Sequence, residues 1–163
     1  MNVFKAIQTR RSIRKYTSQQ VSEDDLQKIL QAGRLAPSAK NLQNWQFIVI
    51  TDTDIIAKLA EACNQQHFIS EVPVVIAGIA DPTINHWYEL DMGIAFDHMA
   101  LVATDCGLGS CWIGAFNEPQ VRDILSIPKK LRTIILMTIG YAAENPAPRP
   151  RKPLSAIIRY DYY

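Results

Sequence analysis

The segment from Asn85 to about Cys106 is the longest helical stretch of the sequence, about 33 Å at the α-helical rise. Between Met92 and Ala103 it is apolar on nearly every side, and only Asp97 and His98 interrupt it. A helix of that kind has to be covered all round. A chain of 163 residues has few elements with which to cover it. A partner chain is the economical answer.

The remaining elements alternate around this helix. Residues 2–11 form a short helix with Val3, Phe4 and Ile7 on one face. Ser22, with Asp25 three residues on, caps a second helix whose Leu26, Ile29, Leu30 and Gly33 recur at helical spacing until Pro37 ends it. Trp45–Ile50 reads as a buried strand, Asp54 to about Gln65 as a helix, and Pro73–Ala80 as another buried strand closed by Asp81-Pro82. Gly107-Leu108-Gly109 breaks the long helix. Ser110–Phe116 follows as a strand running into a loop, Asn117 caps a short helix through Leu125, and Thr133–Tyr141 is the last strand. This order predicts an α+β or α/β sandwich around one sheet, in a single domain spanning residues 1–163. Residues 142–163 differ. Pro146, Pro148, Pro150 and Pro153 forbid regular structure, yet Leu154, Ile157, Ile158, Tyr160, Tyr162 and Tyr163 are unsuited to a loose tail. The segment is expected to be an extended arm lying on the other subunit.

A net charge of +1 gives no global field that would draw the chain to nucleic acid or to a membrane surface. No run approaches the roughly 20 apolar residues of a membrane span, and the first residues lack the apolar core of a signal peptide. Cys63, Cys106 and Cys111 are odd in number and match no zinc spacing, which fits buried, reduced thiols and a cytoplasmic location. His86 and His98 have no ligand partner at metal spacing, so no metal site is expected. No Ser/His/Asp or Cys/His arrangement stands out either, and no catalytic side chain is assigned.

Three segments could carry ligand chemistry. Arg10, Arg11 and Arg14, with Ser12 and Lys15 between them, concentrate planar cationic donors suited to phosphate at the end of the first helix. A solvated basic face is the plainer reading of such a run. Pro37-Ser38-Ala39-Lys40-Asn41-Leu42-Gln43 is a polar loop entering a buried strand, and Asn41 and Gln43 offer the donors and acceptors that suit a heterocycle edge. Ordinary turn chemistry explains it equally well in isolation. Gly107, Gly109 and the run Trp112-Ile113-Gly114 flank the next strand, where glycine lets backbone approach a ligand.

Taken together, RRSIRKY, PSAKNLQNWQFIVI, GLGSCWIG, the later GY and PRPRKPLSAII follow one another as they do in the nitroreductase family, which the chain resembles over nearly its full length. The resemblance implies an α+β three-layer sandwich with a central, mostly antiparallel sheet flanked by helices, assembled as an intertwined homodimer with FMN at the subunit interface. Carried over by motif, it implies that Arg10, Arg11, Ser12 and Arg14 hold the phosphate and ribityl chain, with Arg149 and Arg151 closing on the phosphate. It implies that Pro37, Ser38, Ala39 and Asn41, with Gln43 as a further contact, pack on the ring from the partner subunit. Ile113 and Gly114 face the ring near N5, and Trp112 contributes to an apolar floor. The implied reaction passes hydride from NADH or NADPH through flavin N5 to a small acceptor (a nitroaromatic, a quinone or a similar electrophile) in ping-pong fashion. Flavin cleavage, reductive dehalogenation or non-catalytic flavin binding on the same fold remain alternatives. Larger members carry an excursion between Ala80 and the long helix, whereas Asp81–His86 is short here. The chain is thus a compact member with its substrate wall undefined, and His67, Phe68, Trp87 and Tyr88 are candidates for it.

Overall fold

A computed structural model describes residues 1–163. Five helices are present: α1 (Val3–Thr9), α2 (Glu23–Arg34), α3 (Thr53–Ala62), α4 (Tyr88–Asp105) and α5 (Glu118–Ile124). Four strands, β1 (Gln46–Ile50), β2 (Val74–Ala80), β3 (Gly109–Ile113) and β4 (Arg132–Gly140), form one sheet in the order β1-β2-β4-β3. Every neighbouring pair is antiparallel.

The sheet is covered on both faces, which is why β2 reads as an unbroken apolar run rather than an alternating one. Val74, Ile76 and Ala80 point into a core shared with Leu26 and Ile29 of α2 and with Met92, Phe96, Met99 and Ala103 of α4. Val75 and Ala77 point the other way, toward Ile56, Leu59 and Ala60 of α3 and Val121 of α5. The result is the α+β three-layer sandwich, with α2 and α4 on one face of an all-antiparallel sheet and α3 and α5 on the other. α1 packs on α4.

Element ends depart from the sequence reading where side chains compete with the backbone. α4 begins at Tyr88 rather than Asn85, because Asn85 Oδ1 takes the Trp87 N–H at 2.6 Å and Asp81 Oδ1 takes the Thr83 N–H at 2.9 Å. Both are local turns that exclude helix. α3 stops at Ala62 rather than Gln65, since Asn64 and Gln65 turn left-handed at φ 57°. An unanticipated 3-10 turn, His67–Glu71, then leads into β2. β3 ends at Ile113, and the residues to Phe116 are the loop into which the strand is expected to run.

In α4 the residues Met92, Ala95, Phe96, Met99, Ala100 and Ala103 are buried by the chain itself. Gly93, Ile94 and Leu101, on the remaining flank, are only partly covered, and Leu90 is exposed. The apolar surface of α4 therefore extends beyond what this chain covers. Val3, Phe4 and Ile7 of α1 add to it, as do Leu35 and Leu42. At the end of the chain, Leu154, Ile157 and Tyr160 are exposed as well.

Two glycines test how the layers fit. A Cβ at Gly33 of α2 would fall 2.0 Å from Met99 Cε, the free end of a flexible side chain. At Gly78 of β2 it would fall 2.6 Å from Met92 Sδ and 2.7 Å from Phe96 Cε2, on a ring that has no room to turn. Gly33→Ala is expected to change stability little, since Met99 can yield and alanine favours helix by about 1 kcal/mol. Gly78→Ala is expected to cost about 1–3 kcal/mol through overpacking. Thermal melts of the two variants check this; equal losses would contradict it.

Candidate functional site

The cationic segment leaves α1 in a fixed direction. The Arg10 N–H closes the helix on Ala6 O at 2.9 Å. The Arg11 guanidinium turns back, and its Nη1 donates to Gln8 O and Arg10 O, both at 2.8 Å. Ser12 then joins the sheet edge through a parallel bridge to Ser110, with Ile13 N–H donating to Ser110 O at 3.0 Å. Ile13 sits where a side chain at Gly109 would be: a Cβ there would lie 2.6 Å from Ile13 Cγ1.

The next residues are stapled to β4 and to the start of the arm. Tyr16, buried, donates to Ile13 O at 2.7 Å and shares a 2.7 Å hydroxyl contact with Thr138. Burial pushes its phenol far above the ordinary tyrosine range. Lys15 O accepts from Ala143 N–H at 2.9 Å, Tyr16 bridges Ala142, and the Glu144 carboxylate takes the Arg14 backbone N–H at 2.5 Å. Glu144 and Tyr16 were not singled out by the sequence. Their partners lie 130 and 122 residues away, so no local pattern could have shown them.

These contacts create a cavity of about 490 Å³ lined by Arg10, Arg11, Ser12, Arg14, Arg149 and Arg151, together with Pro146 and Pro148. No acidic side chain lines it. The chain's five ion pairs all lie elsewhere, so none of the five arginines has a carboxylate partner. Five guanidinium groups with no ion-pair partner, beside a Glu144 carboxylate that is held on the Arg14 backbone N–H, fit a phosphate, which they can bind in planar, charge-assisted fashion. The residues that the resemblance assigns to the phosphate are therefore brought together.

The other expected contacts lie apart from that cavity. From Ser110, at the arginines, the chain runs about 14 Å to Gly114, one residue past the end of β3. Along it Trp112 is half-exposed, with its ring edge-on to Phe96 at 6.2 Å, and Ile113 is buried. At Gly114 a Cβ would meet nothing within 4 Å, so this backbone is open to an approaching ligand.

The Pro37–Gln43 loop does not line the arginine cavity. It sits at the start of α4, where Ala39 N–H donates to Asp91 Oδ1 at 3.1 Å. Ser38 Oγ accepts from Gln43 N–H at 2.9 Å, and Gln43 Nε2 donates to Asn41 O at 3.2 Å. Lys40, Asn41 and Gln43 all hold positive φ (53°, 55° and 50°) and are exposed. The buried Asn44 fixes the loop's end through reciprocal bonds with the Asp81 backbone, at 2.7 and 3.1 Å. Neither Asp91 nor Asn44 was singled out by the sequence, although a carboxylate in the first turn of so apolar a helix was a visible signal.

The four candidates for a substrate wall fall in two places. His67 is exposed near Glu61 and Phe68 packs on the α3 side of the sheet. Trp87, exposed with its ring tilted 43° against that of His86 at 4.8 Å, and Tyr88 lie on the α4 side. Burial raises the Cys63 thiol to about 11 and also raises Cys111, so neither is a nucleophile near neutral pH. No helix is long and apolar enough to cross a membrane.

Known proteins share this fold. A model of the nitroreductase family matches residues 7–73 and 63–141. The chain is 35% identical to an Archaeoglobus fulgidus protein provisionally named NADH dehydrogenase/NAD(P)H nitroreductase, over 87% of this chain and 86% of that one. Among solved structures, an FMN-dependent nitroreductase from Clostridium difficile superposes with a TM-score of 0.88 at 30% identity, covering 98% of this chain and 99% of that one. An NADPH:FMN oxidoreductase from Vibrio harveyi, complexed with NAD+, gives a TM-score of 0.93 at 27% identity, covering 100% of this chain and 78% of that one. With the motifs, the layer order and the family model in agreement, the chain belongs to the nitroreductase family.

Proposed function

We propose that the protein is an FMN-dependent NAD(P)H oxidoreductase that works as a homodimer and reduces a small electrophilic acceptor, such as a quinone or a nitroaromatic. The observation that carries this reading is the unpaired five-arginine cavity, fixed to the same strand whose far end opens at Gly114. FMN, when bound, supplies a ring that accepts hydride from a nicotinamide and gives the electrons to an acceptor, so no protein nucleophile is needed. Arg10, Arg11, Arg14, Arg149 and Arg151 hold its phosphate, and the Ser12 hydroxyl adds a neutral donor. Trp112, on the α4 face of β3, presents the apolar surface that keeps water off the ring, and the open backbone at Gly114 donates to the ring's edge. Ile113 is not part of that floor, because its side chain is buried on the α3 face and only its backbone is available.

The polar edge is read by Asn41 and Gln43 of the second protomer, whose Pro37, Ser38 and Ala39 pack on the ring. The exposed apolar residues of α1 and α4, and the arm from residue 142 onward, form the contact between the two copies. Donor and acceptor use the same open face in turn, which gives ping-pong kinetics.

Absorbance spectra before and after anaerobic addition of NADH or NADPH test the reading. Flavin bands that bleach with the nicotinamide and return with a quinone or nitroaromatic are expected. Protein that is colourless and binds no added FMN would sink it.

A further inference from the structure

Asp91 is an unusual residue for its position. It lies in the first turn of α4 and is only 3% exposed, among the apolar side chains that pack the helix on the sheet. The positive end of the helix makes a carboxylate tolerable there. Its Oδ1 accepts the Ala39 N–H, but its Oδ2 is buried with no donor at all. A half-satisfied buried carboxylate is costly, and such atoms are rare in folded proteins unless they serve a purpose.

The segment it holds is strained. Lys40 and Gln43 occupy the left-handed region, which is uncommon for such residues, and Asn41, which tolerates it better, lies between them in the same region. Two anchors impose it here. The Asn44–Asp81 pair fixes the loop's end to the turn after β2. At its start, Asp91 reaches out of a helix packed on the sheet and accepts the Ala39 N–H. The Ser38–Gln43 bond between them is internal and follows the loop wherever it goes.

We infer that Asp91 is a positioning residue: it sets the Ser38–Gln43 loop of its own protomer in the shape that covers the flavin ring held by the other. The inference rests on the flavin reading above. Asp91 touches no cofactor in this arrangement and acts only through the Ala39 N–H.

The test compares Asp91→Ala, Asp91→Asn and Ala39→Pro in the full chain. In FMN-free protein, amide hydrogen exchange at Ala39–Gln43 is expected to accelerate about tenfold or more in Asp91→Ala, as the loop opens locally. In Asp91→Asn the carboxamide oxygen still accepts, and exchange stays near the wild-type rate. FMN titration by flavin fluorescence is expected to show affinity weakened about three- to tenfold in Asp91→Ala, the loss of one hydrogen bond, and restored in Asp91→Asn.

Ala39→Pro removes the donor instead of the acceptor. Proline suits the first position of a 3-10 turn that follows the extended Ser38, so this variant carries the test if Asp91→Ala does not fold, with the same loss of affinity expected. Wild-type exchange in Asp91→Ala, or wild-type FMN affinity in Ala39→Pro, overturns the inference. A wild-type chain that binds no FMN refutes the flavin reading instead, and the exchange result in FMN-free protein is read independently of that.

Discussion

Replacing Arg10 and Arg14 together by alanine is expected to weaken FMN binding by about 100-fold or more while leaving riboflavin binding, however weak, unchanged. Each charge-assisted bond to phosphate contributes about 1.5–3 kcal/mol, and about 1.4 kcal/mol corresponds to a factor of ten. Loss of two such bonds thus gives at least about two orders of magnitude. Riboflavin lacks the phosphate and so reports only the ring and ribityl contacts. The difference between the two ligands isolates the arginine cavity. The apo double variant is expected to melt at the wild-type temperature or above it, because the five arginines have no carboxylate partner and repel one another. A lower melting temperature together with undiminished FMN affinity would show that these side chains serve the fold rather than a ligand.

What the sequence discloses and what it hides divide along a physical line. β2 is legible because both faces of its strand are buried, which demands an apolar run from Val74 to Ala80. α2 and α5 are legible at their starts because Ser22 and Asn117 accept the Asp25 and Gln120 N–H groups, contacts spanning three residues each. The turn from Asp81 to Trp87 is less so, since Asx bonds there compete with helix over the same residues. Nothing local announces that Arg149 and Arg151 return to Arg10 and Arg14. That closure depends on Glu144 gripping the Arg14 backbone and on Ala142–Ala143 pairing with Lys15–Tyr16. The resemblance to a family supplied what spacing could not. The same limit hid the partner of Asp91, 52 residues away in a loop, although the carboxylate itself stood out in so apolar a helix.

Introducing glutamate at both Phe4 and Leu90 is expected to separate the proposed homodimer into folded monomers and to remove tight FMN binding, although every arginine stays in place. Phe4 is 68% exposed and Leu90 58% exposed on the isolated chain, so neither contributes much to its own core. Far-ultraviolet circular dichroism should therefore keep its wild-type shape. In the proposed dimer both side chains are buried, and a buried unpaired carboxylate costs several kcal/mol. Two per chain, repeated in the second copy, exceed what a standard interface retains after its ordering costs. Sedimentation velocity measures the mass and flavin fluorescence measures the affinity. The coupling between the two readouts is the informative part. The Arg10/Arg14 variant should remain dimeric while losing FMN, whereas the Phe4/Leu90 variant should lose both, because the Pro37–Gln43 loop is then no longer delivered to the ring. A monomer that still bound FMN at wild-type strength would mean that the loop folds over the ring of its own chain, and the exposed apolar surface of α1 and α4 would need another occupant.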